Sequence, residues 1–233
     1  MIIISGLQKS FTKKLVLDID NLVFSNFGTV ALVGNNGAGK TTFLRLLADL
    51  LKPTKGKIIY NSTYISELHN SNQIAAYLDE TFLIEYLTVE EYFQIVGLIN
   101  KLDKETINQF TSEWVDFFNY NLFKSMLISE LSLGNKNKVG IVGAIMQNKP
   151  ITLLDEPLAN LDPSSQILLC KYFDNIKENT KQLFIISSHN IDYIMSVSNR
   201  ILLLENGRIL IDAEPDNNTI KTIQNYFKNA TKQ

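Results

Sequence analysis

The tightest constraint on this chain is an eight-residue stretch, Gly34-Asn35-Asn36-Gly37-Ala38-Gly39-Lys40-Thr41. It satisfies G-x-x-x-x-G-K-[ST], a loop whose backbone N–H groups turn inward around a phosphate. Glycines let that backbone come close to an anion. The flanks fit the motif. Phe27 to Val33 reads as an apolar strand, and Thr41 to Leu51 carries Leu44, Leu47, Ala48 and Leu51 at helical spacing. Pro53 and Gly56 are expected to end that helix. Its positive N-terminal end adds to the anion site. Lys40 is placed for the β- and γ-phosphates and Thr41 for the hydroxyl contact to Mg²⁺. With Thr42, the loop forms the candidate nucleotide-binding segment.

A second signal lies at Ile151-Thr152-Leu153-Leu154-Asp155-Glu156, where two acids end a short apolar strand. Such a strand suits a sheet covered on both faces, and ligands of doubly wound sheets bind beyond the carboxyl ends of strands. Asp155 is placed to hold Mg²⁺ through water, which leaves Glu156 as general base for an attacking water. His189 follows another apolar strand, Leu183 to Ser187, and is a candidate to touch the γ-phosphate or orient the water. His69 lies in a polar stretch and is expected on the surface.

Between these signals the texture changes. Thr88-Val89-Glu90-Glu91 reads as a capping box opening a helix through Phe93, Val96 and Leu98. A second helical stretch carries Phe110, Trp114, Phe117 and Phe118, a stripe expected to pack a core. These patterns predict an α/β core over residues 1–80 and 148–212 with a helical lobe inserted at about 81–147. Leu203 to Leu210 reads as a hairpin around Asn206-Gly207. Residues 213–233 form a polar, weakly helical tail.

Composition narrows the function. A formal net charge of -2 gives no reason to expect nucleic acid as a partner. The single cysteine, Cys170, excludes an internal disulfide, suits a reducing compartment and reads as core filler. The start, Met1-Ile2-Ile3-Ile4-Ser5, lacks the pattern of a signal peptide. The apolar run Val139 to Met146 is far short of a membrane span. Any membrane-spanning part is therefore expected on another chain.

With the motifs in this order, the chain resembles the nucleotide-binding domains of the ABC family over about residues 1–212. Leu131-Ser132-Leu133-Gly134-Asn135 stands where that family has its signature, LSGGQ, and Ala159-Asn160-Leu161-Asp162 is similar to its D-loop. Leu133, Asn135 and Asn160 depart from the usual residues there, whereas Gly134 is retained. The resemblance implies a P-loop NTPase fold: a mostly parallel sheet flanked by helices, an antiparallel β subdomain in the N-terminal part, and an inserted helical subdomain. It implies an ATPase that uses ATP and Mg²⁺ and dimerises head to tail, as a homo- or heterodimer, around two nucleotides. Ser132, Gly134, Asn135 and Asp162 would then reach the nucleotide of the partner domain. Phe11 matches the aromatic that stacks on adenine, Glu80 falls where a nucleotide-site glutamine is usual, and His189 matches the switch histidine. Residues 80–91 would meet an integral membrane transporter subunit, which would hold the chain at the cytoplasmic face of the membrane. A transporter motor, of exporter type, is the first expectation. A soluble ATPase of the same family acting on ribosomes or nucleic acid is the second, opposed by the lack of a heptad run.

Overall fold

A computed structural model of the chain describes residues 1–24, 27–64, 73–177, 180–189 and 196–230, with side chains through 228. His69 lies outside the described residues. Two sheets organise the fold. The first is antiparallel, with strands β1 (Ile2–Phe11), β2 (Lys14–Phe24), β4 (Lys55–Tyr60) and β5 (Thr63–Tyr64) in the order β2-β1-β4-β5. The second contains β3 (Gly28–Val33), β6 (Ile74–Tyr77), β7 (Ile151–Leu154), β8 (Leu183–Ser188), β9 (Arg200–Glu205) and β10 (Arg208–Ala213). Its order is β10-β9-β3-β8-β7-β6, and all neighbours are parallel except the β9–β10 hairpin. The antiparallel β layer and mostly parallel core match the fold that the resemblance implies.

Every residue of β3, β7 and β8 is buried, as their unbroken apolar runs require of strands covered on both faces. Alternation along each strand divides the core. Ala31, Val33, Leu154, Ile186 and Leu203 face one apolar cluster, shared with Phe93, Phe118, Val139 and Phe173 from the helical side. Val30, Leu32, Leu153, Ile185 and Leu204 face the other, which joins the antiparallel sheet to helix α1 (Lys40–Leu47) through Phe24, Phe43 and Leu44.

The helical segment contains α2 (Val89–Ile99), α3 (Lys104–Glu113), α4 (Tyr120–Phe123) and α5 (Leu133–Met146), and α6 (Pro163–Ile176) follows β7. The expected capping box is present. The Glu91 amide donates to the Thr88 hydroxyl at 3.2 Å, and the Thr88 amide donates to the Glu91 carboxylate at 2.8 Å. The aromatic stripe packs a core as anticipated, but only Phe110 of the four lies within a helix. The chain leaves α3 at Trp114, makes one turn through the Phe118 N–H to Trp114 carbonyl bond at 2.7 Å, and restarts at the Asn119 cap. Trp114 ties the segment to α6 through Tyr172, at 4.8 Å between ring centres.

Three further features differ from the sequence expectation. Helix α1 stops at Leu47 instead of Leu51, because the chain passes into the left-handed region at Asp49, with φ of 57°, well before Pro53. Cys170 is half-buried beside the core instead of filling it. The presumed weak tail holds a full helix, α7 (Asn217–Ala230), started by Asp216 accepting from the Thr219 amide at 2.7 Å and anchored by the fully buried Ile223.

The β9–β10 turn supports the glycine loop from below. Gly207, at φ of 80°, donates its N–H to the Ala38 carbonyl at 3.0 Å, and its own carbonyl accepts from the Asp18 amide at 2.9 Å. A Cβ at this position would stand 2.3 Å from the Val16 carbonyl oxygen. Gly207→Ala is expected to cost at least about 1–3 kcal/mol, through left-handed strain and that collision. A lowered urea midpoint would show it.

Candidate functional site

The glycine loop leaves β3 and enters α1, and its position reflects two separate constraints. At Gly34 a Cβ would lie 2.3 Å from the Leu204 carbonyl oxygen, so β9 itself excludes a side chain. At Gly37 nothing lies within 4 Å, and the requirement is the backbone angle, φ of 83°. Asn35, Asn36, Gly37, Gly39, Lys40, Thr41 and Thr42 line a cleft of about 270 Å³ together with Val16 and Glu156. A cleft lined by a glycine loop at a helix start suits a polyphosphate.

The two sequence signals meet in this cleft. The buried Lys40 ammonium donates to the Gly34 carbonyl at 2.8 Å and pairs with the Glu156 carboxylate at 3.3 Å. Thr41 Oγ1 donates to Asp155 Oδ2 at 2.5 Å, and the Ser187 hydroxyl donates to the other carboxylate oxygen. Burial pushes the Asp155 carboxyl above the usual carboxylate range. The Ser187 and Thr41 bonds oppose that rise, the Glu156 charge adds to it, and Lys40 opposes it. Glu156 sits at φ of 48°, with its amide donating to Ser187 Oγ at 2.8 Å. His189 brings its backbone amide to Glu156 Oε2 at 3.2 Å and ring Nδ1 to the same oxygen at 2.8 Å. Ser187 escaped the sequence reading. Its signal was a Ser-Ser pair closing an apolar strand just before His189.

The donor set can be tested against Mg²⁺. Among the described residues no group of three or more His, Cys, Asp or Glu side chains forms a cage. Hard oxygens of Thr41 and Asp155 in contact beside a phosphate cleft are what Mg²⁺ takes, since it keeps waters and uses substrate phosphates as ligands. The residues fit the ion.

Other candidates arrive by different routes. Glu80 opens a short 3-10 turn capped by Asp79, whose carboxylate pairs with Arg45 of α1 at 2.8 Å. Burial pushes the Asp79 carboxyl up, but bonds from Thr81 and Arg45 outweigh it and hold it below its ordinary value. Glu80 shares a second cavity, about 290 Å³, with Asp155, Glu156, Leu133 and Asn160. The site thus extends sideways toward the signature segment. Helix α5 begins at Leu133, where Ser132 Oγ accepts from the Asn135 amide at 3.3 Å and caps it. Gly134 therefore lies in the first turn, and the close approach it permits is to this chain's own Asn160. A Cβ there would stand 2.6 Å from the Asn160 carbonyl oxygen. Asp162 caps α6 and pairs with Lys138 at 2.9 Å. Phe11, 43% exposed, is not a core residue and carries the Lys9 ammonium 5.0 Å from its ring centre. A larger cleft, about 650 Å³, opens at the opposite end of the parallel strands. Its Arg200 is paired with Asp212 and its Lys177 with Asp174, and it holds no motif residue.

The model of the ABC transporter family matches residues 17–159, from β2 through the glycine loop, the signature segment and Glu156. This chain belongs to that family. It is an ATP-binding cassette, an ABC-type ATPase. Asp162 and His189 lie beyond the matched span. Among curated relatives, the SkfA peptide export ATP-binding protein SkfE of Bacillus subtilis is 28% identical, covering 78% of this chain and 76% of that protein. The phosphonates import ATP-binding protein PhnC of Treponema denticola is 29% identical over 80% of this chain and 78% of that one. Among solved structures, the dimeric post-hydrolysis cassette MJ0796 with ADP and Pi superposes with a TM-score of 0.80 at 21% identity, covering 93% of this chain and 99% of that chain.

In this cassette, bonds from Ser164, Ser165 and Lys138 hold the Asp162 carboxyl well below the usual carboxylate range. A carboxyl depressed by folding adds stability that is complete above its unfolded value and is lost as pH falls toward the folded one. Asp162→Asn keeps a capping side chain but removes the charge. The variant is expected to melt below the unaltered cassette at about pH 7, with the gap holding down to about pH 4 and narrowing only below it. A gap independent of pH would contradict this account.

Proposed function

We propose that this cassette hydrolyses Mg-ATP as the motor subunit of a transporter, pairing head to tail with a second cassette around two nucleotides. The observation that carries the proposal is the bonded set Lys40, Thr41, Asp155, Glu156 and His189 at the end of the parallel strands. Lys40 would meet the β- and γ-phosphates at the mouth of the glycine loop, with Asn35, Asn36, Gly37, Ala38, Gly39 and Thr42 around it. Thr41 and Asp155 would hold Mg²⁺, which supplies charge neutralisation on the phosphates. Glu156 is held between Lys40 and His189 and would take a proton from the water attacking the γ-phosphorus, while the bond to the ADP oxygen breaks. His189 keeps Glu156 oriented through Nδ1, which leaves its other ring nitrogen for the γ-phosphate. Phe11 is available to stack on the base, and Glu80 reaches the same cavity as Glu156.

The first turn of α5 supports the dimer reading. Ser132 and the early N–H groups at Gly134 and Asn135 sit at a helix start, where a partner's γ-phosphate would be favoured. Asp162 would add its contact from the next loop. The MJ0796 structure is dimeric by its own description, and the shared fold makes the same pairing available here.

Residues 80–91 form the surface we assign to a membrane subunit, with Tyr86 80% exposed on it. Among the described residues no helix is long and apolar enough to cross a membrane. On this reading the chain sits at the cytoplasmic face of the membrane through its membrane subunit. We read the transporter as an exporter from the compact helical segment; cargo selection then belongs to the membrane subunit. The domain division we propose places the α/β core at 1–80 and 148–212, the helical lobe at 81–147 and the terminal region at 213–233.

Glu156→Gln is expected to lower kcat by about 10²-fold or more while ATP binding persists, and to trap an ATP-bound dimer in gel filtration. Turnover at the unaltered rate would refute the base assignment.

A further inference from the structure

One side chain outside the motifs bridges three parts of the site. Asn137 lies on the second turn of α5, and its amide faces two ways. The Tyr77 hydroxyl donates to Asn137 Oδ1 at 2.8 Å, and Asn137 Nδ2 donates to the Ala159 carbonyl at 3.1 Å. Tyr77 is the last residue of β6, two residues before Asp79 and three before Glu80. Ala159 closes the turn begun at Glu156, donating its N–H to the Glu156 carbonyl at 2.9 Å. Asn137 thus spans from the strand that leads to Glu80 to the turn that starts at the general base.

Its neighbours reinforce the bridge. Gly134, Asn137 and Lys138 are spaced i, i+3 and i+4, so they share one helix face. Gly134 packs under the Asn160 carbonyl, and Lys138 grips Asp162. At Gly140, one turn further, a Cβ would overlap the Tyr77 ring at 2.0 Å, so the ring packs directly against the helix where a side chain is missing. Burial holds the Tyr77 hydroxyl well above its ordinary value, so it remains protonated and a donor at any working pH. Asn137 and Tyr77 both line the cavity shared by Glu80 and Glu156.

Resting on the ATPase reading above, we propose that Asn137 is a positioning residue that makes α5, the end of β6 and the turn 156–160 move as one unit. Any displacement of the helical segment then carries the Glu156 turn with it. Asn137 acts on hydrolysis through Glu156 and not on nucleotide capture, since its bonds go to Tyr77 and Ala159 and none to the glycine loop.

Two substitutions separate the halves of the bridge. Asn137→Asp keeps the acceptor for Tyr77 but sets a carboxylate against the Ala159 carbonyl. Tyr77→Phe removes the donor and keeps the ring. Asn137→Asp is expected to lower kcat at least tenfold and Tyr77→Phe several-fold, with the Mg-ATP Kd within twofold of the unaltered chain. The double variant should be no slower than Asn137→Asp alone, and Asn137→Gln, which keeps both polar groups, should recover part of the rate. Should Asn137→Asp fail to fold by thermal melting, Tyr77→Phe and Asn137→Gln carry the same test. Unchanged kcat in the soluble variants, or a loss of Mg-ATP affinity equal to the loss of kcat, would overturn the assignment. Failure of the unaltered chain to bind or hydrolyse Mg-ATP would instead overturn the ATPase reading itself.

Discussion

Asp155 is half-buried just past the end of β7, and a carboxylate withdrawn from water there is costly unless it finds donors. It finds two hydroxyls, Thr41 from the start of α1 and Ser187 from the end of β8. That pair of bonds joins segments far apart in sequence into one corner. Lys40 and Glu156, each adjacent to a member of this set, close the corner with an ion pair. The parallel order β3-β8-β7 makes the meeting possible, because it sets the carboxyl ends of these strands side by side. The corner concentrates a lysine and two acids in a small space at a helix start, where charges interact more strongly than in open water.

The rest of the molecule keeps that corner in shape. The β9 backbone lies so close to Gly34 that no side chain fits between them, and the Gly207 turn supports Ala38. Arg45 and Asp79 tie α1 to the loop after β6. The second cavity then leads from the catalytic acids to Glu80, Leu133 and Asn160, so signature and strand end are neighbours within one chain. The helical segment is not an appendage with a separate interior. Its aromatic residues share one apolar cluster with a face of the parallel sheet, and a shift of α5 would be felt at β6 and β7.

Much of this was legible beforehand. The loop 34–41, the acids 155–156, the capping box at Thr88 and the Asn206-Gly207 turn all depend on near neighbours, and all are present. The readings that missed turned on a backbone turn or on packing that apolar spacing does not show. Helix α1 ended early at a left-handed Asp49, although its apolar spacing continued. Phe117 and Phe118 kept the spacing of a helix while packing from a turn. Helix α7 looked weak as a polar tail because its stability comes from burying Ile223 against the core.

The local chemistry reads directly off the chain: which loop can cradle phosphate, which strand ends in acids, and which segment carries the signature. These follow from residue type and spacing over a few positions. Which groups become partners is set by the way the elements assemble. That Ser187 supports both Asp155 and the Glu156 amide, that Gly134 is needed beneath Asn160, and that Asn137 links Tyr77 to Ala159 are consequences of strand order and helix packing. A polar atom's partner across a fold depends on which elements are brought together, and no local periodicity encodes that.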